Sequence, residues 1–344
     1  MALFIGAIGG LAFFALNLPL PFMLGAITAT MIAALSGAPM ATPKWVRPPL
    51  SAIIGTMLGA GFPSDVLRNA LDWVVPLGGL LLYMLAAGAA CIWYFHRLCR
   101  FDFKTAYFCG MPGGLVEMTL LGDSLGADAR RIALIHTARI LLVVFSVSGS
   151  TRLFFEIDPS AAADVAARVY HIADLTFGSF AWLTATCIAG VAIGRLLRLP
   201  AGFLLGPMLI SATLHISDFT DFEIPRELLY AAQVGLGTTI GCRFVGQRFR
   251  EVGHLLLLSL GSTAVVLSLT LLFSWAVNAI TGIDFLLLVL AYSPGGLAEM
   301  GLVALYLHLD TALVACHHIF RVVLVGFSSG LIFKAMQRYT KLID

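Results

Sequence analysis

Four blocks of this 344-residue chain occur twice at one spacing. Leu18-Pro19-Leu20-Pro21-Phe22-Met23-Leu24-Gly25 returns 181 residues later as Leu199-Pro200-Ala201-Gly202-Phe203-Leu204-Leu205-Gly206. Gly55-Thr56-Met57-Leu58-Gly59 returns as Gly237-Thr238-Thr239-Ile240-Gly241, shifted by 182. Pro112-Gly113-Gly114-Leu115-Val116-Glu117-Met118 returns at the same shift as Pro294-Gly295-Gly296-Leu297-Ala298-Glu299-Met300. Asp128, His136 and Arg139 are matched by Asp310, His318 and Arg321, again at 182. One offset held over roughly 120 residues marks a tandem duplication, and a repeat restricts the architecture before any local reading does. The chain divides into a first repeat over 1–154, a joint over 155–172 holding Glu156, Asp158 and Pro159, and a second repeat over 173–344.

Each copy is built from six apolar segments, and composition says what surrounds them. Apolar residues make up 59 % of the chain and charged residues only 12 %, with mean hydropathy +0.94. Soluble domains carry about 25 % charged residues, so this chain is expected to be an all-α integral membrane protein. Disordered, coiled-coil, collagen-like and secreted disulfide-rich classes are excluded. A net charge of +2 offers no basic footprint for nucleic acid. The six cysteines lie singly and no C-x-x-C occurs, so neither a metal site nor a redox pair is expected. No cofactor fingerprint appears. Residues 2–16 are apolar without a preceding Lys or Arg, which argues against a cleaved signal. This first segment is shorter than its counterpart, so either a short first helix or a truncated chain is expected.

Loop charge gives the orientation, because cytoplasmic loops collect Lys and Arg. In the first copy the basic loops hold Lys44 and Arg47, then Arg97, Arg100 and Lys104, then Arg130 and Arg131. In the second they hold Arg195 and Arg198, then Arg243, Arg248 and Arg250, then Lys334, Arg338 and Lys341. Positive charge falls on alternate loops in the two copies, so their topologies are inverted. Inversion requires an odd number of crossings per copy. The fifth segment of each opens with Pro112 or Pro294 and two glycines, residues that remove a backbone donor and loosen the chain. It is therefore expected to be broken or re-entrant. About ten transmembrane helices, two broken segments, both termini cytoplasmic and a periplasmic joint follow.

Among charged residues, Glu117, Glu299, Arg139 and Arg321 lie well inside apolar segments. Such residues are costly in a bilayer and default to functional candidates. His136 with Arg139, and His318 with Arg321, share a helix face at i,i+3. The arginines either hold a negatively charged substrate or pair with Glu117 and Glu299; the glutamates are the candidates for proton coupling. Gly113, Gly114, Gly295 and Gly296 are expected to present backbone to a substrate where two broken helices offer their N-termini. The glycines of the third segments (Gly55, Gly59, Gly235, Gly237, Gly241) are expected to serve packing, as is His317. Gln233 is a further buried polar candidate. No catalytic residue is assigned.

Taken together, the duplicated L-P-x-x-x-L-L-G, G-T-x-x-G and P-G-G-L-x-E-M with the downstream H-x-x-R resemble the duplicated bacterial membrane AbrB family over essentially the whole chain. Ammonia monooxygenase and regulator labels accompany that family; scattered histidines and the lack of a soluble domain argue against both. The resemblance implies a secondary transporter of small organic acids of the hydroxylated carboxylate kind in the inner membrane. Its partners would be an organic anion, H⁺ or Na⁺ as coupling cation, the bilayer and a second copy in a homodimer. The alternatives are a membrane sensor or scaffold that moves nothing, and a metallo-oxidase.

Overall fold

A computed structural model describes residues 1–18, 20–62, 66, 70–154, 170–247, 249–307 and 309–340. The joint proper, Pro19, Arg248 and Lys341 lie outside the described residues. The described chain is helical. In order the helices are α1 Ala2–Ala15, α2 Pro21–Leu35, α3 Arg47–Ala60, α4 Val74–Trp93, α5 Phe103–Gly110, α6 Leu115–Ser124 and α7 Ala129–Phe154. They continue as α8 Phe177–Leu196, α9 Gly202–Ile216, α10 Arg226–Gly241, α11 Phe249–Thr281, α12 Phe285–Tyr292, α13 Leu297–Tyr306 and α14 Thr311–Thr340.

Among the described residues four stretches are long and apolar enough to cross a bilayer: Leu71–Leu98, Phe177–Leu196, Arg250–Thr281 and Thr311–Phe333. Their outward faces carry exposed Leu82, Leu85, Trp275 and Phe327, side chains suited to lipid. The chain is a multi-pass helical membrane protein. The first helix has 14 residues and α8 has 20.

Element bounds recur along the chain. α2 and α9 begin and end 181 residues apart, while α5 and α12, and α6 and α13, do so at 182. The L-P-x-x block explains the first coincidence. The residue entering the helix is left-handed in both places, Leu20 at φ 44° and Ala201 at φ 48°. That conformation costs a residue with a β-carbon roughly 1–2 kcal/mol, so the turn is held by its surroundings. The fifth segments do break at Pro-Gly-Gly: α5 stops at Gly110 and α6 starts at Leu115, and α12 and α13 are separated likewise. Asp102 caps α5 by accepting from the Thr105 amide at 3.0 Å, and Asp284 caps α12 from Leu287 at 2.9 Å.

The helices gather into two compact units, neither of which is a sequence repeat. The first comprises Met1–Arg68, Phe145–Phe249 and Gly301–Ala312. It is packed through glycine. A β-carbon at Gly25 would fall on the backbone of Gly9, one at Gly55 on the Leu204 carbonyl, and one at Gly237 within 2.5 Å of the Met23 carbonyl. Without a hydrophobic drive between helices in lipid, such close backbone approach supplies the dispersion contact. Ser211 Oγ adds a bond to the Thr56 carbonyl at 2.7 Å. The third-segment glycines thus serve packing here. The second unit comprises Asn69–Val144, Arg250–Met300 and Leu313–Asp344. It is packed instead through large buried side chains, Tyr83, Tyr107, Tyr292, Phe95, Phe108 and Phe333 among them.

Candidate functional site

The second unit holds both Pro-Gly-Gly breaks together with Glu117, His136, Arg139, Glu299, His318 and Arg321. α7 carries His136 and Arg139, and both are buried, Arg139 at 3 % exposure. His136 Nε2 lies 2.8 Å from the Phe108 carbonyl, so this nitrogen bears the proton and donates. Its Nδ1 lone pair then accepts from Arg139 Nη2 at 2.8 Å. The same guanidinium reaches the carbonyls of Cys109 at 3.4 Å and Met111 at 3.3 Å. These carbonyls belong to the end of α5 and the start of the break, where α-helical acceptors are left over. Arginine is therefore held at the break by backbone and by a neutral imidazole.

α14 repeats the arrangement with a difference. His318 Nε2 donates to the Leu290 carbonyl at 3.1 Å, and its Nδ1 accepts from Arg321 Nη2 at 3.0 Å. Arg321 donates to the Ser293 carbonyl at 2.6 Å and to Gly295 at 2.5 Å. His318 grips the position 182 beyond Phe108, but Arg321 reaches two residues further into its break than Arg139 does. Arg321 is 5 % exposed.

The structure brings each histidine onto its arginine and each arginine onto a break. It does not bring Glu117 onto Arg139. Among the described residues the ion pairs join Arg130 to Glu251, Arg131 to Asp128, and Glu227 to His171 and Arg226. Glu117 is half-buried, and its carboxylate folds back over Gly114, where a β-carbon would come within 2.9 Å of the carboxyl carbon. Glu299 lies over Gly296 in the same way, its carboxyl carbon 2.8 Å from that position. An acid in the first turn suits the positive end of a helix, so each half-helix α6 and α13 has its own carboxylate at its N-terminus. Gly114 and Gly296 leave the room for it. Pro112, Pro294 and Gly295 are buried, and Gly113 is half-buried against Val325 and Met118. Gln233 and His317 stand apart from this arrangement: Gln233 is buried in the first unit, and His317 bonds to the Leu313 carbonyl and packs on Tyr292.

One residue escaped the sequence reading. Tyr83, fully buried on α4, lies in electrostatic reach of both Arg139 and Arg321, and Arg139 acts on Arg321 in turn. Its ring stacks on Tyr292 at 5.7 Å, the residue preceding the Ser293 carbonyl that holds Arg321. Its hydroxyl lies 3.1 Å from Thr270 Oγ1. The signal available was a tyrosine inside an apolar run, two helical turns before Cys91, but nothing duplicates it: position 265 is Val.

A family model described as "Transition state regulatory protein AbrB" matches residues 22–337. The chain belongs to the AbrB family. Of its relatives, the Escherichia coli (strain K12) protein named "Putative regulator AbrB" is 28 % identical over 88 % of this chain and 86 % of its own length. "Uncharacterized protein YhjN" of Bacillus subtilis (strain 168) is 27 % identical over 79 % of this chain and 74 % of its own length. The family match runs across both breaks and both arginines, so the AbrB likeness is not confined to one of them.

Proposed function

We propose that this AbrB-family chain is a secondary active transporter of a small organic acid, coupled to H⁺ or Na⁺. In this reading its two halves are inverted repeats with about ten crossings and two re-entrant segments. They would lie in the bacterial inner membrane, with both termini cytoplasmic and the 155–172 joint periplasmic, and work as a homodimer. The substrate anion binds between the two breaks and is exposed to each side in turn. One observation carries the proposal: two arginines buried at helix breaks are held by carbonyls and neutral imidazoles, with no carboxylate partner among the described residues. Buried charge without a counter-charge is expensive, and an anionic cargo is the partner that lowers the cost.

Broken helices meeting near the membrane midplane form the sites of many secondary transporters. Glu117 and Glu299, each laid over the N-terminus of a half-helix, supply carboxyls that a proton can neutralise as the substrate arrives. The regulatory wording of the family description fits poorly with a net charge of +2 spread over apolar helices. The test is uptake by proteoliposomes. Purified protein should accumulate a small carboxylate under an inward H⁺ or Na⁺ gradient, and the Glu117→Gln, Glu299→Gln pair should abolish or uncouple that accumulation. Normal coupled uptake by the double variant removes the glutamates from coupling. Binding without any translocation points to a sensor instead.

A further inference from the structure

We propose that the site takes a dianion, a small organic acid with two ionised groups, and that Arg139 and Arg321 together balance its charge. The inference rests on the transport reading above and adds the substrate's charge class. Its basis is a count of charges and donors. A guanidinium has five N–H donors. On each arginine the protein engages three, through two carbonyls and one imidazole nitrogen. The others remain for a ligand, and on Arg139 the Nε is buried with no acceptor at all. Buried donors of this kind are nearly always satisfied.

The charge count leads the same way. The groups acting on Arg139 are the thiols of Cys91 and Cys109 and the Tyr83 phenol; those acting on Arg321 are Tyr83 and Arg139 itself. No carboxylate is among them. Both arginines are buried in one compact unit, and among the described residues the groups hydrogen-bonded to them are neutral carbonyls and imidazoles. A monoanion would leave one positive charge uncompensated in a low-dielectric setting, where that is costly. A dianion cancels both. Tyr83, fully buried on α4, interacts electrostatically with both guanidiniums and adds no charge of its own to the count.

Succinate and butyrate share a four-carbon chain and differ by one carboxylate, so they isolate the charge. Binding of each to the full-length protein in lipid nanodiscs at neutral pH should favour succinate by about tenfold or more. Arg139→Gln, which keeps a hydrogen-bonding side chain but removes one charge, should bring the ratio close to one; Arg139→Lys should retain much of it. Arg321→Gln should act likewise, but Arg321 also secures a break, so Arg139 is the deciding position. Equal binding of the two acids by the unaltered protein overturns the proposal, as does a succinate preference that survives Arg139→Gln. Gradient-driven uptake of a monocarboxylate with no dicarboxylate uptake overturns it while leaving the transport reading intact. Failure of both acids to bind, with no uptake of either, overturns the two together.

Discussion

The two arginine sites are the same idea executed at different tightness. Arg321 donates to Ser293 and Gly295 at 2.6 and 2.5 Å, whereas Arg139 donates to Cys109 and Met111 at 3.4 and 3.3 Å and leaves its Nε without an acceptor. The histidines hardly differ, each donating to a carbonyl 28 residues upstream. What changed between the copies is how far the guanidinium reaches past the helix end. In the second copy it passes the end of α12 and fastens the break itself; in the first it stops partly on the end of α5. One arginine therefore holds backbone tightly, and the other holds it loosely with its Nε left without an acceptor.

That contrast sets the largest expected effect. Charge-assisted hydrogen bonds are worth about 1.5–3 kcal/mol each, and orphaned buried carbonyls add to the loss. Arg321→Gln should lower the stability of the protein by about 3 kcal/mol. Arg139→Gln should cost roughly 1 kcal/mol or less, because long bonds are lost and an unbalanced buried charge disappears with them. Thermal unfolding of the two variants in one detergent checks this. Equal losses would mean that the difference in reach has no energetic weight.

A second difference lies at the helix ends beside the arginines. Tyr292 closes α12 and sends its hydroxyl to the Pro76 carbonyl at 2.6 Å. Its counterpart closing α5 is Gly110, where a β-carbon would stand 2.7 Å from the Ile92 amide nitrogen and 2.8 Å from its Cγ1. Backbone cannot retreat as a flexible side chain can, so Gly110→Ala should cost about 2 kcal/mol through overpacking. Tyr292→Phe should cost only about 1 kcal/mol, the net worth of one hydrogen bond with the ring kept in place. Tyr107→Phe, which frees the Ser329 carbonyl at 2.8 Å, should match it. Melting temperatures that rank Gly110→Ala above Tyr292→Phe would show that α4 and α5 can part at Gly110 without loss.

Much of this was written in the sequence, and for identifiable reasons. The helix bounds that recur at 181 and 182 residues, the break at Pro112 and Pro294 and the face shared by His136 and Arg139 depend on spacing alone, and spacing is visible in one dimension. The packing role of Gly55 and Gly237 followed from residue size. The acceptors of Arg139 and Arg321 could not be read, because carbonyls have no sequence identity: any residue at 109, 111, 293 or 295 would present one. Pairing with glutamate was the natural expectation for a buried arginine, yet Glu117 reaches only Gly114 at the start of its own helix. Tyr83 was hidden because the repeat directed attention to what occurs twice, and its place at 265 is taken by Val. Nor does spacing tell that segments from both copies gather into each compact unit, since that depends on which faces match across the duplication.

The smallest effect concerns the two copies outside the lipid. Glu227 begins α10, and the residue 182 positions earlier is Trp45, which is exposed. Glu227 accepts from His171 Nδ1 at 2.7 Å and from the Ile172 amide at 3.1 Å. The bond from His171 holds its carboxyl below the ordinary carboxylate range. A carboxyl with a depressed folded-state pKa adds stability above its unfolded-state pKa, and that increment fades as pH falls through the folded value. Melting temperatures of the unaltered protein and Glu227→Gln should therefore differ slightly near neutrality and converge at acid pH, below the ordinary carboxylate range. The pair is solvent-exposed, so the gap should also shrink with added salt. A gap that persists unchanged down the acid limb would mean that Glu227 steadies the start of α10 through shape and not through charge.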